Sequence, residues 1–459
     1  MSSKLNVRAV FDHEKVAFNK ENEVHMDVVF HVPEKADSKR TPLHMVLALD
    51  YSGSMAGKKV DSMKDTVNKL IDNLTENDTM TVIGFSDNCW EIIPVTVMDS
   101  SGKANAKSSI NNTYTHSMTN MSEALEWALE RAASSDKKKI VRIVFLTDGL
   151  PTSGLTGRED LVNIVSQLRP DVSLSTFGFG HDYDPELLLS MSNRGRGNHF
   201  YIQNEDDCKR AFAMELGGLL SMAVQDLKVE VTPSGNVELV DFLSKISYEE
   251  SAGYRGITDG KVLFTLEDVF YGESKHVLFK LKLPSASQAV TARATKVCDI
   301  RVDYLDVETK ERSVLEAKAK IRYVKPDDAS TEANKDVKAQ LLLIEAQKIH
   351  KDAKKLADKG QYDDAREVYT AGLLLAENNA WFENSTALKG SFQTMIENSG
   401  NAAVYYTSGA KLAGSYGYTM AKSRASSVCG MNLSYNSSAQ ESMMRSFGVH
   451  ESVQDSTGG

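Results

Sequence analysis

The chain has 459 residues, which is too long for a single hydrophobic core and predicts about three domains. Its composition, 41% hydrophobic and 25% charged, is that of a globular protein and excludes global disorder. The net charge of -10 argues against nucleic acid as a partner, because phosphate binding needs a basic surface.

Targeting signals and cysteine spacing together predict a cytoplasmic protein. The first residues, MSSKLNVRAV, lack the apolar stretch of a signal peptide. No run of about eighteen apolar residues occurs, so no membrane span is predicted. Cys89, Cys208, Cys298 and Cys429 are far apart and form no CxxC pair, which favours reduced thiols over disulfides or a zinc site.

Residues 1–40 contain two stretches, LNVRAVF and VHMDVVFHV, in which apolar and polar residues tend to alternate. This period of two is typical of strands that bury one face. We expect these strands to complete a β-sandwich whose other strands come later in the chain.

Residues 41–224 alternate short apolar runs with amphipathic stretches. Strands that alternate with helices predict an α/β fold, a mostly parallel sheet flanked by helices, with ligands at the carboxyl ends of the strands. The predicted strands are 43–50, 79–85, 140–147, 172–179 and 199–203. The predicted helices lie near 58–74, 120–133, 157–168, 184–192 and 205–223.

The rest of the chain has three different patterns. Residues 225–325 contain strand-like runs without intervening helices, which predicts an antiparallel β-sandwich. Residues 330–380 are amphipathic and are interrupted by Gly360, which predicts a helical hairpin. Residues 381–459 become rich in Ser, Gly and Asn, and we expect a mostly flexible tail.

Oxygen-bearing side chains follow the first strand of the α/β region. In LHMVLALDYSGSM, the apolar run ends at Asp50 and is followed by Ser52 and Ser54. One carboxylate and two hydroxyls in one loop form a hard ligand set, which suits Mg²⁺ or Mn²⁺ and suits zinc or copper poorly. Three ligands from one loop do not complete an octahedral site.

Two further oxygen ligands occur at positions where other loops of the same sheet edge are expected. Thr119 lies at the start of a predicted helix, and Asp148 follows the most hydrophobic predicted strand. The sequence therefore predicts a divalent metal site formed by Asp50, Ser52, Ser54, Thr119 and Asp148.

The order Asp-x-Ser-x-Ser, then Thr, then Asp-Gly resembles the metal-ion-dependent adhesion site of von Willebrand factor type A (VWA) domains. LEDVFYGESKHVLFKLKLP is similar to the β-rich region of proteins related to inter-alpha-trypsin inhibitor heavy chains. The resemblance covers about residues 1–380 and is to the intracellular and bacterial relatives of these proteins.

The resemblance implies a VWA fold and a role for each candidate ligand. Ser52, Ser54 and Thr119 would bind Mg²⁺ or Mn²⁺ through their hydroxyls, and Asp50 and Asp148 would act directly or through water. An Asp or Glu carboxylate from a partner protein would complete the octahedron. This is the chemistry of a protein-binding or scaffold module, so the chain is not expected to be an enzyme.

Three alternatives stay open. Family members can act as adaptors or cofactors of AAA+ ATPases. His116 could act as a general base beside the metal, which would give a metal-dependent hydrolase. An acidic residue of the same chain, or of a second copy, could occupy the metal and drive self-association. Ser117 and Met118 replace glycines found in many members, and the ring of Tyr51 is expected to flank the ligand site.

Overall fold

The computed structural model describes most of the chain and divides it into two compact units. The described residues are 5–34, 40–180, 182–247, 256–266, 268–287, 293–383, 385–413, 416 and 438–449. One unit consists of 40–191, 198–221 and 436–459, and the other of 1–39, 192–197 and 222–435.

In the part of the chain that the structure describes, three strands come before the α/β region, which consists mainly of six strands and six α-helices. The first three are β1 (Asn6–Phe11), β2 (Lys15–Ala17) and β3 (Asn22–His31). The α/β elements are β4 (Leu43–Asp50), α1 (Lys58–Asn73), β5 (Thr79–Phe85), β6 (Cys89–Val97), α2 (Ser100–Asn111), α3 (Met121–Ala133), β7 (Ile140–Thr147), α4 (Arg158–Val165), β8 (Val172–Phe179), α5 (Pro185–Arg194), β9 (Arg196–Ile202) and α6 (Glu205–Leu220).

The α/β sheet has the strand order β6-β5-β4-β7-β8-β9. Strand β4 pairs in parallel with β5 and β7, and β7 pairs in parallel with β8, whereas β6 is an antiparallel edge strand. Every residue of β4 and β7 is buried, as expected where helices cover both faces of a sheet. The predicted α/β fold is confirmed, and Asp50 and Thr147 end its two central strands at the same edge.

Among the described residues, eight strands follow α6 and form two sheets with the N-terminal strands. They are β10 (Met222–Pro233), β11 (Glu238–Phe242), β12 (Ile257–Thr258), β13 (Lys261–Leu266), β14 (Val269–Phe270), β15 (Ser274–Leu283), β16 (Thr295–Asp306) and β17 (Arg312–Val324). The sheet orders are β1-β3-β15-β11 and β12-β13-β10-β16-β17-β2, with β14 paired to β10. Phe242, Phe264 and Phe279 pack together in the core of this region.

The longer helices that follow are α7 (Lys335–Asp358), α8 (Tyr362–Asn378), α9 (Ser385–Glu397) and α10 (Ser438–Ser446). A short α-helix (Ala402–Val404) and a π-helix (Tyr405–Gly409) lie between α9 and α10 in the chain. Gly360 separates α7 from α8 with a φ of 80°, a conformation that glycine adopts without strain. Helices α9 and α10 fall within 381–459, where the sequence suggested a mostly flexible tail, so that expectation is corrected for these residues. Helix α9 is ordered by burial of Leu388, Phe392 and Met395.

Candidate metal centre

Asp50 is the last residue of β4, and its side chain is fully buried. The backbone N–H of Ser52 donates a hydrogen bond of 2.7 Å to Asp50 Oδ1. The hydroxyl of Thr147, at the end of the adjacent strand β7, donates one of 2.6 Å to Asp50 Oδ2. Both carboxylate oxygens therefore have donors, and the side chain is held in one orientation.

The serine hydroxyls connect the loop after β4 to the loop after β7. Ser52 Oγ and Ser54 Oγ are 3.0 Å apart, and Ser54 Oγ donates a hydrogen bond of 2.7 Å to Asp148 Oδ1. Asp148 follows the last residue of β7 and is fully buried. Four of the five predicted ligands thus form one hydrogen-bonded group at the carboxyl edge of the sheet.

Thr119 comes from a third loop, directly before the N-cap residue of α3. Its backbone N–H donates to Thr152 Oγ1 at 2.9 Å, which ties this loop to the loop after β7. A methyl group added to Gly149 would lie 3.7 Å from Ser54 Oγ and 3.8 Å from Thr119 Oγ1. The two hydroxyls therefore approach the same place, beside the backbone of Gly149, from different loops.

The loop before Thr119 is held by contacts that do not need glycine. The Met118 backbone N–H and the Ser117 hydroxyl both donate to the carboxylate of Asp87. The His116 N–H donates to the Tyr51 carbonyl at 2.7 Å, and the His116 ring packs edge-on against another aromatic side chain. The Tyr51 ring, which was expected to flank the ligand site, is fully buried, and its centroid lies 5.9 Å from that of the Trp90 ring.

The two carboxylates of the site have different electrostatic surroundings. Burial raises the pKa of Asp50 to about 6, although hydrogen bonds from Thr147 and Ser52 lower it, and the charge of Asp148 raises it further. Asp148 Oδ2 contacts the ammonium group of Lys59, at the start of α1. Asp148 is thus paired with a cation, whereas the negative charge of Asp50 is stabilised by the hydrogen bonds from Thr147 and Ser52.

The donor set fits a hard divalent cation. It contains two carboxylates and three hydroxyls, and oxygen ligands of this kind are those that Mg²⁺ and Mn²⁺ prefer. Within the part of the chain that the structure describes, no three His, Cys, Asp or Glu side chains form a metal-binding cluster. The centre therefore depends on Ser52, Ser54 and Thr119, which would hold the ion together with Asp50 and Asp148.

Sequence reasoning missed three residues that shape this centre: Thr147, Lys59 and Asp87. Thr147 lies inside an apolar strand run, and Asp87 resembles any polar residue of a turn. Lys59 could have been predicted, because it lies in the first turn of a helix, where the helix dipole makes a cation unfavourable. A cation at such a position indicates an acidic partner that offsets this repulsion.

Residues 44–212 match the family model of the von Willebrand factor type A domain. This part of the chain is a VWA domain. The matched range runs from the second residue of β4 through β9 to the middle of α6, and it contains all five candidate ligands. VWA domains commonly mediate metal-dependent binding between proteins, in agreement with the donor set described above.

Two curated relatives illustrate the range of proteins to which the chain is similar. It is 30% identical to human inter-alpha-trypsin inhibitor heavy chain H6 over 204 residues, which is 41% of this chain and 15% of that protein. It is 25% identical to the Arabidopsis thaliana E3 ubiquitin-protein ligase WAV3 over 279 residues, which is 60% of this chain and 35% of that protein. The chain spans about half or less of the length of the curated relatives it matches.

A solved structure extends the likeness beyond the VWA domain. The von Willebrand factor type A protein from Catenulispora acidiphila superposes with a TM-score of 0.65 at 16% identity. The match covers 84% of this chain and 90% of that one, so the two share a fold. Among the described residues, no helix has both the length and the apolar character that crossing a membrane requires.

Proposed function

We propose that this chain binds a divalent cation, Mg²⁺ or Mn²⁺, and through it a carboxylate of a partner protein. The observation that carries the proposal is the hydrogen-bonded group from Asp50 through Ser52 and Ser54 to Asp148, which Thr119 joins beside Gly149. These oxygens come from three loops that the parallel sheet brings to one edge.

The chemistry of the ligands favours binding of an outside anion. Three of the five donors are neutral hydroxyls, so a bound divalent ion keeps much of its positive charge. Such an ion accepts a further hard oxygen ligand, and an Asp or Glu side chain supplies one. The role is that of an interaction or scaffold module whose affinity is concentrated on one acidic residue of the partner.

Catalysis is not part of this proposal. The similarity to a protein named as an E3 ubiquitin-protein ligase involves 35% of that protein's length, which leaves most of it without a counterpart here. His116 contributes its backbone to the Tyr51 carbonyl, and its ring packs against Trp90 with the ring centroids 5.0 Å apart. These contacts give it a structural role in the loop that carries Thr119.

Thermal unfolding of the full chain in EDTA, Mg²⁺ or Mn²⁺ tests the metal site. An ion at a hundred times its dissociation constant stabilises the folded state by about 2.7 kcal/mol. For a domain of this size, the midpoint should rise by roughly 5–10 °C. Ser54→Ala should abolish the shift. Ser117→Ala is the matched control, because its hydroxyl bonds Asp87 instead of joining the candidate ligands.

A retention experiment tests the carboxylate. Proteins held by the immobilised chain in Mg²⁺ should be released by EDTA and should not be retained by Ser54→Ala. Replacing the acidic residues of a retained partner by their amides should then abolish binding. Retention that is equal in EDTA and Mg²⁺ would contradict the proposal, and so would equal thermal shifts in the Ser54→Ala and Ser117→Ala chains.

A further inference from the structure

The ammonium group of Lys59 contacts one oxygen of the proposed metal ligand Asp148. Ser54 donates a hydrogen bond to Asp148 Oδ1, and Lys59 Nζ donates one to Asp148 Oδ2. The carboxylate is fully buried, whereas the Lys59 side chain is 28% exposed. A cation of the chain itself therefore neutralises the charge of one of the two acids in the centre.

Lys59 occupies a position where a positive charge is intrinsically unfavourable. It is the second residue of α1, and the amino-terminal end of a helix carries partial positive charge. Its neighbour Lys58 is exposed to solvent, where this repulsion is screened. The Lys59 side chain instead turns inward, so the attraction of Asp148 must outweigh the helix dipole and the partial loss of hydration.

The loop after β8 leaves room for this inward-turned side chain. Gly180 adopts a φ of 75°, and a methyl group added there would lie 3.4 Å from Lys59 Cε and 3.5 Å from Lys59 Nζ. The ammonium group thus lies between the ends of β7 and β8, on the sheet edge that carries the candidate ligands. It therefore lies beside residues of two loops of the centre, Asp148 and Gly180.

A divalent ion and this ammonium group would compete for the negative charge of the Asp148 carboxylate. The ion bound by Ser52, Ser54 and Asp148 would place two positive charges close to the one on Lys59. Repulsion at such short range is strong where burial limits the screening by water. Metal binding must therefore either displace Lys59 from Asp148 or tolerate its charge, and both reduce the affinity for metal.

We propose that Lys59 is a built-in competitor of the divalent ion for Asp148, and that it sets the metal affinity of the centre. This rests on the proposed function, because it assumes that the centre binds a metal. Lys59 neutralises Asp148 until the ion concentration is high enough to displace it. Its long, partly exposed side chain can then move its charge toward solvent while the helix stays in place.

Binding of Mn²⁺ to the full chain, measured by calorimetry and by water proton relaxation, tests the proposal. Lys59→Gln and Lys59→Met remove the charge, and Met keeps the apolar stem of the side chain. Both should bind Mn²⁺ at least about tenfold more tightly than the unmodified chain, since they remove the competing cation. Lys59→Arg keeps a cation and should stay close to the unmodified affinity. Lys58→Gln is the matched control and should change nothing.

The outcomes separate the two proposals. If the unmodified chain binds Mn²⁺ no better than Ser54→Ala, the proposed metal function fails. If the unmodified chain binds Mn²⁺ but Lys59→Gln and Lys59→Met bind it equally well or more weakly, the metal function stands and the competitor role of Lys59 is overturned. Circular dichroism in EDTA establishes that each variant is folded before its affinity is compared.

Discussion

Thr147 and Asp50 end the two central strands of the parallel sheet and are joined by a hydrogen bond of 2.6 Å between the hydroxyl and the buried carboxylate. Parallel pairing of β4 with β7 puts these two residues side by side at the ligand-binding edge. The backbone N–H of Gly149 also donates to the Thr147 hydroxyl, at 3.2 Å. One threonine side chain thus connects a candidate ligand with the loop after β7.

Thr147→Val should destabilise the chain and weaken metal binding. The substitution keeps the shape of the side chain but leaves Asp50 Oδ2 without its donor, and an unsatisfied buried polar atom costs about 1–3 kcal/mol. Urea unfolding in EDTA measures this loss, and Mn²⁺ titration measures the affinity. Thr147→Ser keeps the hydroxyl and should behave much like the unmodified chain. Equal stability of the Val and Ser variants would contradict the role assigned to this bond.

Arg142 and Glu215 form a buried ion pair at 3.2 Å, and both side chains are 3% exposed. Glu215 also accepts hydrogen bonds from Ser175 and Asn198, at 2.7 and 2.8 Å. Glu215→Gln removes the negative charge that faces Arg142 in the interior of the domain, and losing one member of a buried pair costs about 3–5 kcal/mol. Denaturant unfolding should show this as a lower midpoint.

An exposed pair in the same unit provides the comparison. Arg158 and Glu186 are 2.9 Å apart, with 47% and 49% of their side chains exposed. Because solvent screens such pairs, Glu186→Gln should cost less than about 1 kcal/mol. A loss of similar size in the two Gln variants would mean that burial does not govern the strength of these pairs.

The sequence predicted most of the α/β fold because its central strands are unbroken apolar runs. Two elements of this fold, β6 and α2, were not predicted from the sequence. Strand β6 is an edge strand that includes Pro94 and is partly exposed, so its pattern is typical of a loop. Helix α2 buries only Gly102, Ala106 and Ile110, too few apolar side chains to give a clear helical period.

The candidate ligands were predictable and their surroundings were not. Asp50, Ser52 and Ser54 form a local pattern, and Thr119 and Asp148 stand at the loops where a parallel sheet places ligands. Lys59 and Asp87 act through partners distant in sequence, Asp148 and the loop before Thr119. A single sequence carries no information on such pairs until the fold brings them together.

His44 should make the stability of the VWA domain depend on pH. It is buried on β4, 3.2 Å from Thr81 Oγ1 and 2.5 Å from Ser135 Oγ. Burial, assisted by the charge of Lys139, lowers its pKa from 6.5 to about 4. Between these values the unfolded chain takes up a proton that the folded chain does not. The free energy of unfolding should therefore decrease as the pH falls, by up to about 1.4 kcal/mol per pH unit.

The comparison with His44→Gln isolates this effect. His199 changes stability in the same direction, since burial also lowers its pKa to about 4. Asp50 acts in the opposite direction in EDTA, because its raised pKa makes the folded chain bind the extra proton below about pH 6. His199 and Asp50 are present in both the unmodified chain and His44→Gln, so their contributions cancel in the comparison. Between pH 6 and 4.5, the slopes of the free energy of unfolding against pH should therefore differ by the equivalent of about one proton. Identical slopes would contradict the buried, neutral state of His44.

Helix α10 packs directly against the backbone of α6 at Gly217, which has no side chain to separate the two helices. A methyl group added to Gly217 of α6 would lie 2.6 Å from the Cα atom of Gln440 in α10. Met444 and Phe447 are buried, and Lys69 donates to the Phe447 carbonyl at 2.9 Å. A helix of nine residues is marginal by itself, so α10 depends on this contact. Gly217→Ala should therefore displace it.

Gly390→Ala is the matched change in another helix, α9, where an added methyl group meets no atom within 4 Å. It should stabilise the protein by about 0.5–1 kcal/mol, because alanine favours helix more than glycine does. Gly217→Ala has the same advantage in helix propensity, but its backbone clash should outweigh it. Hydrogen exchange of the Met444–Phe447 amides should become faster in Gly217→Ala and stay unchanged in Gly390→Ala. Unchanged exchange in both would mean that α10 can shift without losing its contacts with α6.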